Sequence, residues 1–224
     1  MILSLGRILN SSIIKKVIVG VTGLMLSLFL VSHFIGNTLM MISAELFNTY
    51  AHTLINHPLI YFAEGGIVIV FLLHMVYAIR LIFENYFARP ERYYVKKNSG
   101  RGATFASSTM KFTGPLIFIF LVMHLLNFKY GTHYDVVYTS GTMRDLNKLM
   151  LVYFSDWINI VLYIFFMAVV AFHVSHGVWS AFQTFGLTGP KCDKVLRIGA
   201  KLFALFVFVG YSIFPIWAYM QGGK

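Results

Sequence analysis

Charged residues are scarce in this chain. Asp, Glu, Lys and Arg make up only 12% of its 224 residues, whereas hydrophobic residues make up 58%. A soluble domain carries about twice that charged fraction, so the composition excludes an ordinary soluble fold. It also excludes disorder, which needs low hydrophobicity and high charge. The sequence therefore predicts an integral membrane protein. The residues that give its net charge of +10 lie between hydrophobic runs. Nucleic-acid binding needs basic residues spread over a folded surface, so this charge does not indicate it.

Cysteine is almost absent as well. Cys192 is the only cysteine in the sequence. One thiol cannot form an internal disulfide, and it cannot hold an iron–sulfur cluster, whose irons take several cysteine ligands. If electrons reach this protein through such clusters, another subunit must hold them.

Five strongly apolar stretches contain no Asp, Glu, Lys or Arg, and they cover residues 17–44, 65–79, 112–128, 157–190 and 202–223. A helix needs about 20 apolar residues to cross the hydrocarbon core of a membrane. The second and third stretches reach that length when their flanks are included, since a side chain such as Arg80 can extend to the interface. We predict an all-α integral membrane protein, one domain over residues 1–224, with five transmembrane helices at about 17–41, 61–83, 112–129, 157–183 and 201–220.

The basic residues are distributed unequally between the connections. Three Lys or Arg precede the first uncharged stretch, seven lie between the second and third stretches, and four lie between the fourth and fifth. Those are 14 of the 18 in the chain. Cytoplasmic connections are enriched in basic residues, so the N-terminus is predicted to be cytoplasmic and the C-terminus external.

Four histidines lie inside the predicted spans, one in each of the first four helices: His33, His74, His124 and His173. An ionisable side chain in a membrane helix is costly and is therefore a functional candidate. A neutral histidine that bonds across helices is the alternative for any single position. From their distances to the span ends, His33 and His124 belong to the outer half of the membrane, and His74 and His173 to the inner half.

Two stacked pairs of histidines suit two six-coordinate b-type haems, because haem iron takes one axial nitrogen from each side of the macrocycle. Zinc is disfavoured, since two histidines per layer do not supply four ligands. A proton relay would more typically include acidic residues inside the membrane, and only Glu64 comes near that role. Small residues near the histidines would allow a macrocycle to approach, or they serve ordinary helix packing: Ser32, Gly36, Ala78 and Gly177.

Short motifs accompany these histidines. They are Leu-Val-Ser-His ending at His33 and followed by Gly36-Asn37, Phe-Asn-Thr-Tyr-Ala-His at 47–52 in an expected first external loop, Phe-Leu-Leu-His ending at His74, His124-Leu125, and Phe-His-Val-Ser-His-Gly-Val-Trp-Ser at 172–180. Together they resemble the membrane cytochrome b subunit of succinate:quinone oxidoreductases (succinate dehydrogenases and fumarate reductases), in its five-helix, dihaem form. The resemblance covers nearly the whole chain, and the motif at 172–180 is the most specific.

The resemblance implies an outer haem b on His33 and His124 and an inner haem b on His74 and His173. His176 follows His173 by one turn on nearly the same face, so it stays open as an alternative ligand or as a neighbour of a haem propionate. We prefer His173 as the ligand.

The same resemblance implies partners and a location. A flavoprotein subunit and an iron–sulfur subunit would dock on the cytoplasmic side of a bacterial inner membrane and hold the dicarboxylate site. Electrons would pass between those subunits and menaquinone, or another quinone, in the lipid. Whether the whole complex forms an oligomer is left open.

The quinone site is expected near the outer haem. Glu64, at the external start of the second span, is a candidate for exchanging quinone protons, or it is a solvated interfacial carboxylate. Tyr50, His52 and His57 in the first external connection are weaker candidates. Fumarate reductases of the family can carry a glutamate two residues before the fourth-helix ligand. That position is Ala171 here, which favours succinate oxidation.

Two other functions stay open. The chain could be the cytochrome b subunit of another respiratory complex, of the hydrogenase or formate dehydrogenase type, whose catalytic partner docks on the outer side. It could also be a membrane anchor or transporter without haem, which would lack the visible absorption of b-type haem.

Overall fold

The computed structural model describes residues 11–88 and 105–222. Within them the chain forms seven α-helices, one π-helical turn and one β-hairpin. The elements are α1 Ser12–Ile42, α2 Ala44–Asn56, α3 Ile60–Phe87, α4 Phe105–His124, the π turn Leu125–Lys129, β1 Asp135–Tyr138, β2 Gly141–Arg144, α5 Leu146–Tyr153, α6 Trp157–Thr184 and α7 Asp193–Gly222. Seven of the basic residues counted above lie outside the described ranges: Arg7, Arg89, Arg92, Lys96, Lys97, Arg101 and Lys224.

Five helices in the described part of the chain are long and apolar enough to cross a membrane: α1, α3, α4 together with the π turn, α6 and α7. The prediction of an all-α bundle with five such helices is confirmed at this level. The helices also expose large apolar side chains, such as Leu28 at 70% and Phe62 at 79%. Water would oppose such exposure over a wide surface, whereas lipid favours it. The chain is a multi-pass membrane protein.

Helices α6 and α7 form the most tightly packed part of the bundle. At their interface Val207 and Ala218 are fully buried. Helix α1 lies beside α6, α3 packs against α1, and α4 packs against α6. In the described residues α3 and α4 do not pack along each other, although the rings of Phe71 and Phe118 approach to 6.3 Å between centroids. The four histidine-bearing helices therefore pack in the order α3, α1, α6, α4, and this arrangement is not closed by packing between α3 and α4.

Helix α3 has no fully buried residue, and ion pairs fix both of its ends. Near one end, Lys15 of α1 pairs with Glu84, and the lysine is only 4% exposed. Near the other end, Glu64 pairs with Lys129, the last residue of the π turn. The second pair connects α3 to the end of α4, across the side where the two helices do not otherwise pack.

The connection between α1 and α3 is a helix, α2, and not a loop as we expected for residues 47–52. It packs with the hairpin and α5 through the side chain of Asn48, which is 0% exposed. The Asn48 amide donates to the Tyr138 hydroxyl (3.1 Å) and to the Asp145 carboxylate (2.9 Å), and its oxygen accepts from the Asn147 backbone N–H (3.1 Å). One buried side chain thus joins α2 to the hairpin and to α5, which lie 90–99 residues further along the chain.

The cap is the unit formed by α2, the hairpin and α5. Replacing Asn48 with alanine is expected to destabilise it, because the Asn147 N–H and the Asp145 carboxylate lose a buried partner. A buried group left unsatisfied costs about 1–3 kcal/mol. The midpoint of thermal unfolding in detergent should fall. The matched control is Asn56→Ala on the same helix, whose exposed amide donates only to the carbonyl of His52. Equal losses in both variants would contradict the role given to Asn48.

Candidate functional site

His33 on α1 and His124 on α4 face each other. Their ring centroids are 5.9 Å apart and their planes are nearly perpendicular, at 86°. Phe29 and Tyr211 stack on His33, and Phe128 lies against His124. Nδ1 of His124 is buried and has no hydrogen-bond partner among the described residues. Such an orphaned buried atom is uncommon in a folded protein and calls for an explanation at this position.

His74 on α3 and His173 on α6 form a second facing pair, with ring centroids 6.3 Å apart and planes at 67°. Nδ1 of His74 lies 3.1 Å from the carbonyl oxygen of Val19 and 3.2 Å from the hydroxyl of Thr22. A carbonyl only accepts, so Nδ1 of His74 carries the hydrogen. The neutral ring then keeps its lone pair on Nε2, the arrangement that a metal-binding histidine requires.

The second ring of this pair is held in a similar way. Nδ1 of His173 lies 3.1 Å from the hydroxyl of Thr113. The hydroxyl of Thr113 also lies 3.4 Å from the carbonyl oxygen of Met110. In the same way, the hydroxyl of Thr22 lies 2.6 Å from the carbonyl oxygen of Ile18. Each threonine can therefore donate to its own helix while it accepts from an imidazole. Both inner histidines are oriented from behind by hydroxyl groups.

These threonines were missed in the sequence analysis, although a pattern marks them. Thr22 precedes His33 by eleven residues on α1, and Thr113 precedes His124 by eleven residues on α4. Eleven residues are close to three helical turns, so each threonine lies on the same face as the histidine of its helix. Gly23 is a further missed residue, because a Cβ there would lie 3.1 Å from Cε1 of His74.

Both pairs fit an iron atom between two axial imidazoles. A metal–nitrogen bond of about 2 Å and a further distance of about 1 Å to the ring centre put two opposed ring centroids about 6 Å apart. The observed separations are 5.9 and 6.3 Å. In the described ranges no three His, Cys, Asp or Glu residues group as a metal ion would need. Haem iron needs only two protein ligands, and one pair joins α1 to α4 while the other joins α3 to α6.

His176 is not part of either facing pair. Its ring lies 6.1 Å from that of Trp179 between centroids. The indole of Trp179 donates to the carboxylate of Asp193 (2.9 Å). The guanidinium of Arg197 stacks on the same indole, 3.8 Å from the ring centroid, and donates to the carboxylate of Asp193 (2.8 Å). His176 thus lies beside a cluster in which Arg197 is already paired with Asp193.

The other candidates make contacts outside the two histidine pairs. Glu64 is engaged with Lys129, as described above. Tyr50 packs against Gly36, where a Cβ would lie 3.0 Å from its ring. His52 is exposed on α2, and Nδ1 of His57 accepts from the backbone N–H of Leu59 at the start of α3 (3.2 Å).

A π-helical turn begins directly after His124. It brings the side chain of Asn127 within 2.6 Å of the Tyr153 hydroxyl, to which the amide donates. The chain then turns at Gly131, where a Cβ would lie only 1.9 Å from the carbonyl oxygen of Asn127. Arg144 secures the turn by donating to the carbonyls of Lys129 (3.1 Å), Gly131 (3.2 Å) and Thr132 (3.3 Å).

The fold and the histidine geometry define a class of protein, a multi-pass helical membrane protein with two facing histidine pairs. No family model matches the chain, and no curated protein or solved structure matches it significantly. The function is therefore argued from the two pairs and from the residues around them.

Gly131→Ala is expected to lower the free energy of unfolding by more than about 1 kcal/mol, because its methyl group would overlap a backbone oxygen. The control is Gly65→Ala in α3, where a Cβ meets nothing within 4 Å. That change should stabilise the helix by about 0.5–1 kcal/mol. Thermal unfolding followed by circular dichroism measures both. A neutral Gly131→Ala variant would refute the close approach at this turn.

Proposed function

We propose that this chain is the membrane-anchor, dihaem cytochrome b subunit of a bacterial succinate:quinone oxidoreductase. It would pass electrons between flavin and iron–sulfur subunits on the cytoplasmic side and menaquinone in the inner membrane, while the dicarboxylate is converted on a partner subunit. The observation that carries this proposal is the presence of two facing histidine pairs. In each pair the two rings have the separation expected of two ligands of one iron atom. The motifs around these histidines favour this family over other dihaem cytochromes.

The residues of each pair have distinct tasks in this proposal. His33 and His124 hold the outer haem, and His74 and His173 hold the inner one. A haem held by each pair would supply one-electron transfer at its layer. Thr22 and the Val19 carbonyl keep the tautomer of His74 that leaves Nε2 free to ligate.

The spacing between the layers supports electron transfer along the bundle. Thr22 contacts a histidine of the inner layer and stands eleven residues before His33 of the outer layer on one helix. At a rise of about 1.5 Å per residue, the layers are about 16 Å apart along the helix axis. Two layers at that spacing fit within a hydrocarbon core about 30 Å thick.

The distribution of basic residues between the two ends of the bundle supports the side on which the partner subunits would dock. In the described residues, the basic side chains of the α6–α7 connection and of the first turns of α7 lie at the same end of the bundle as Lys15 and Lys16: Lys191, Lys194, Arg197 and Lys201. An excess of basic residues marks the cytoplasmic end of a membrane protein. We assign this end, which is nearer the inner pair, to the contact with the iron–sulfur subunit.

The first test is a reduced-minus-oxidised visible spectrum of the purified chain with its partner subunits. Two b-type haems are expected. His33→Ala and His124→Ala should each remove the outer haem, and His74→Ala and His173→Ala the inner one. Absence of b-haem bands from the wild-type protein would rule the proposal out.

The same series decides the role of His176. His176→Ala is expected to keep both haems, because the ring of His173 is the one that faces His74. Loss of the inner haem in His176→Ala alone would overturn that assignment. Copurification of succinate dehydrogenase activity separates this function from that of a hydrogenase or formate dehydrogenase subunit, because those partners carry a different activity. They also dock on the outer side of the membrane.

Thr113→Val is expected to raise the reduction potential of the inner haem. The hydrogen bond from Nδ1 of His173 increases the basicity of the ligand and so favours ferric iron. One hydrogen bond is worth about 1 kcal/mol, which corresponds to about 40 mV for one electron. The control is Thr109→Val, one turn earlier on α4, whose hydroxyl donates only to the Ala106 carbonyl. Potentiometric titration measures both, and equal shifts would contradict the role of Thr113.

A further inference from the structure

Helix α2 presents two exposed sides of opposite character. One side is polar and carries residues at intervals of seven and four, which form a single stripe along the helix: Glu45, His52 and Asn56. The other side is apolar and carries residues at intervals of four, each between 41% and 46% exposed: Leu46, Tyr50 and Leu54. Phe47 and Asn48, on the remaining side, are buried in the protein. The apolar side therefore stays partly open in the described part of the chain.

Helix α2 connects two membrane-spanning helices at one end of the bundle. α1 ends at Ile42, just before α2, and α3 begins at Ile60, just after it. Because Thr22 of α1 contacts His74 of α3, the start of α3 is about level with Gly36 of α1. The end of α1 and the start of α3 thus differ in height by only about 9 Å, whereas α2 is about 20 Å long. Helix α2 therefore runs closer to the membrane plane than to the membrane normal.

The apolar side of α2 faces the membrane-spanning part of the bundle. A Cβ at Gly36 would lie 3.0 Å from the ring of Tyr50 and 3.3 Å from its hydroxyl oxygen. Gly36 stands six residues before the end of α1, which is about 9 Å along the helix axis. The ring of Tyr50 is therefore directed from α2 back toward the span, and Leu46 and Leu54 share its side, one turn before and one turn after it. The polar stripe lies about 140° around the helix from this side and points away from the span.

Exposed aromatic residues lie at the same level of the bundle. Tyr61, in the first turn of α3 directly after α2, is 76% exposed, and Trp157, the first residue of α6, is 64% exposed. Tyrosine and tryptophan are enriched at membrane–water interfaces, where their rings lie at the level of the lipid headgroups. The start of α3, and with it α2, is therefore at the boundary between lipid and water.

We propose that α2 is an interfacial helix that docks on the lipid bilayer. Its apolar side lies among the acyl chains next to the headgroups, and its polar stripe faces water. This side continues the lipid-exposed surface of the spans, from Ile42 at the end of α1 to Phe62 at the start of α3. Interfacial helices bury their apolar face about 5–10 Å into this boundary.

The lipid partner is recognised by its acyl chains and not by its charge. Helix α2 carries no Lys or Arg, so it has no basic side chain with which to attract an anionic headgroup. Neutral phospholipids therefore suffice for the docking of α2. This inference rests on the membrane-spanning helices and does not depend on the presence of haem.

The test measures which side of α2 meets lipid. The complete chain first receives Cys192→Ser, which removes its native cysteine, and then either Leu54→Cys on the apolar side or His52→Cys on the polar stripe. Each new cysteine carries a nitroxide label, and the protein is placed in phosphatidylcholine nanodiscs. Power-saturation EPR measures collisions of the label with oxygen, which concentrates in lipid, and with a water-soluble nickel chelate. The ratio of oxygen to nickel accessibility should be several-fold higher for Leu54→Cys than for His52→Cys. It should approach the ratio for Leu28→Cys, the control on the exposed surface of α1.

Equal ratios at both positions, with high nickel accessibility, would place α2 in water and overturn the proposal. Shielding of Leu54→Cys from both reagents would also overturn it, because a second copy of the chain would then cover this side. Leu46→Cys and Glu45→Cys form a second matched pair, on neighbouring residues, and should show the same difference. Circular dichroism checks the fold of each variant. Absence of haem from the wild type would count against the proposed function alone, whereas the label ratios decide the docking of α2.

Discussion

Holding imidazole rings inside a membrane bundle is the constraint on which the rest of this structure depends. A buried imidazole in an apolar environment needs partners for its nitrogens, and lipid supplies none. In the inner pair the protein meets half of that need with hydroxyl and carbonyl groups behind the rings, from Thr22, Val19 and Thr113. In both pairs the two rings lie opposite each other, with centroid separations that would suit two ligands of one iron.

The packing of the helices follows from the same constraint. The dense contact between α6 and α7 gives the bundle a rigid side, on which α1 and α4 are fixed. Helix α3 contributes His74, but it has no fully buried residue and is fixed by ion pairs near its two ends. In a bundle built in this way, the core between α6 and α7 does not depend on packing between α3 and α4.

The sequence allowed the five long helices and the two layers of histidines to be predicted, because both depend on local properties. Hydropathy defines a span, and the distance of His33 or His74 from the span ends defines its depth. The cap formed by α2, the hairpin and α5 could not be predicted, since it depends on Asn48 contacting Tyr138 and Asp145, which lie 90 and 97 residues away. The π turn was missed for a similar reason. Its geometry is fixed by Gly131 and by Arg144 on β2, and hydropathy carries no trace of either contact.

The equal interval between threonine and histidine on α1 and α4 has a consequence for how this protein can change. Substitutions elsewhere on these helices leave the interval intact. A single inserted or deleted residue between Thr22 and His33 would rotate one relative to the other by about 100° and move it by about 1.5 Å. Each of the two helices therefore sets the same distance between its threonine and its histidine. That distance tolerates substitutions between the two residues but not a change in their number.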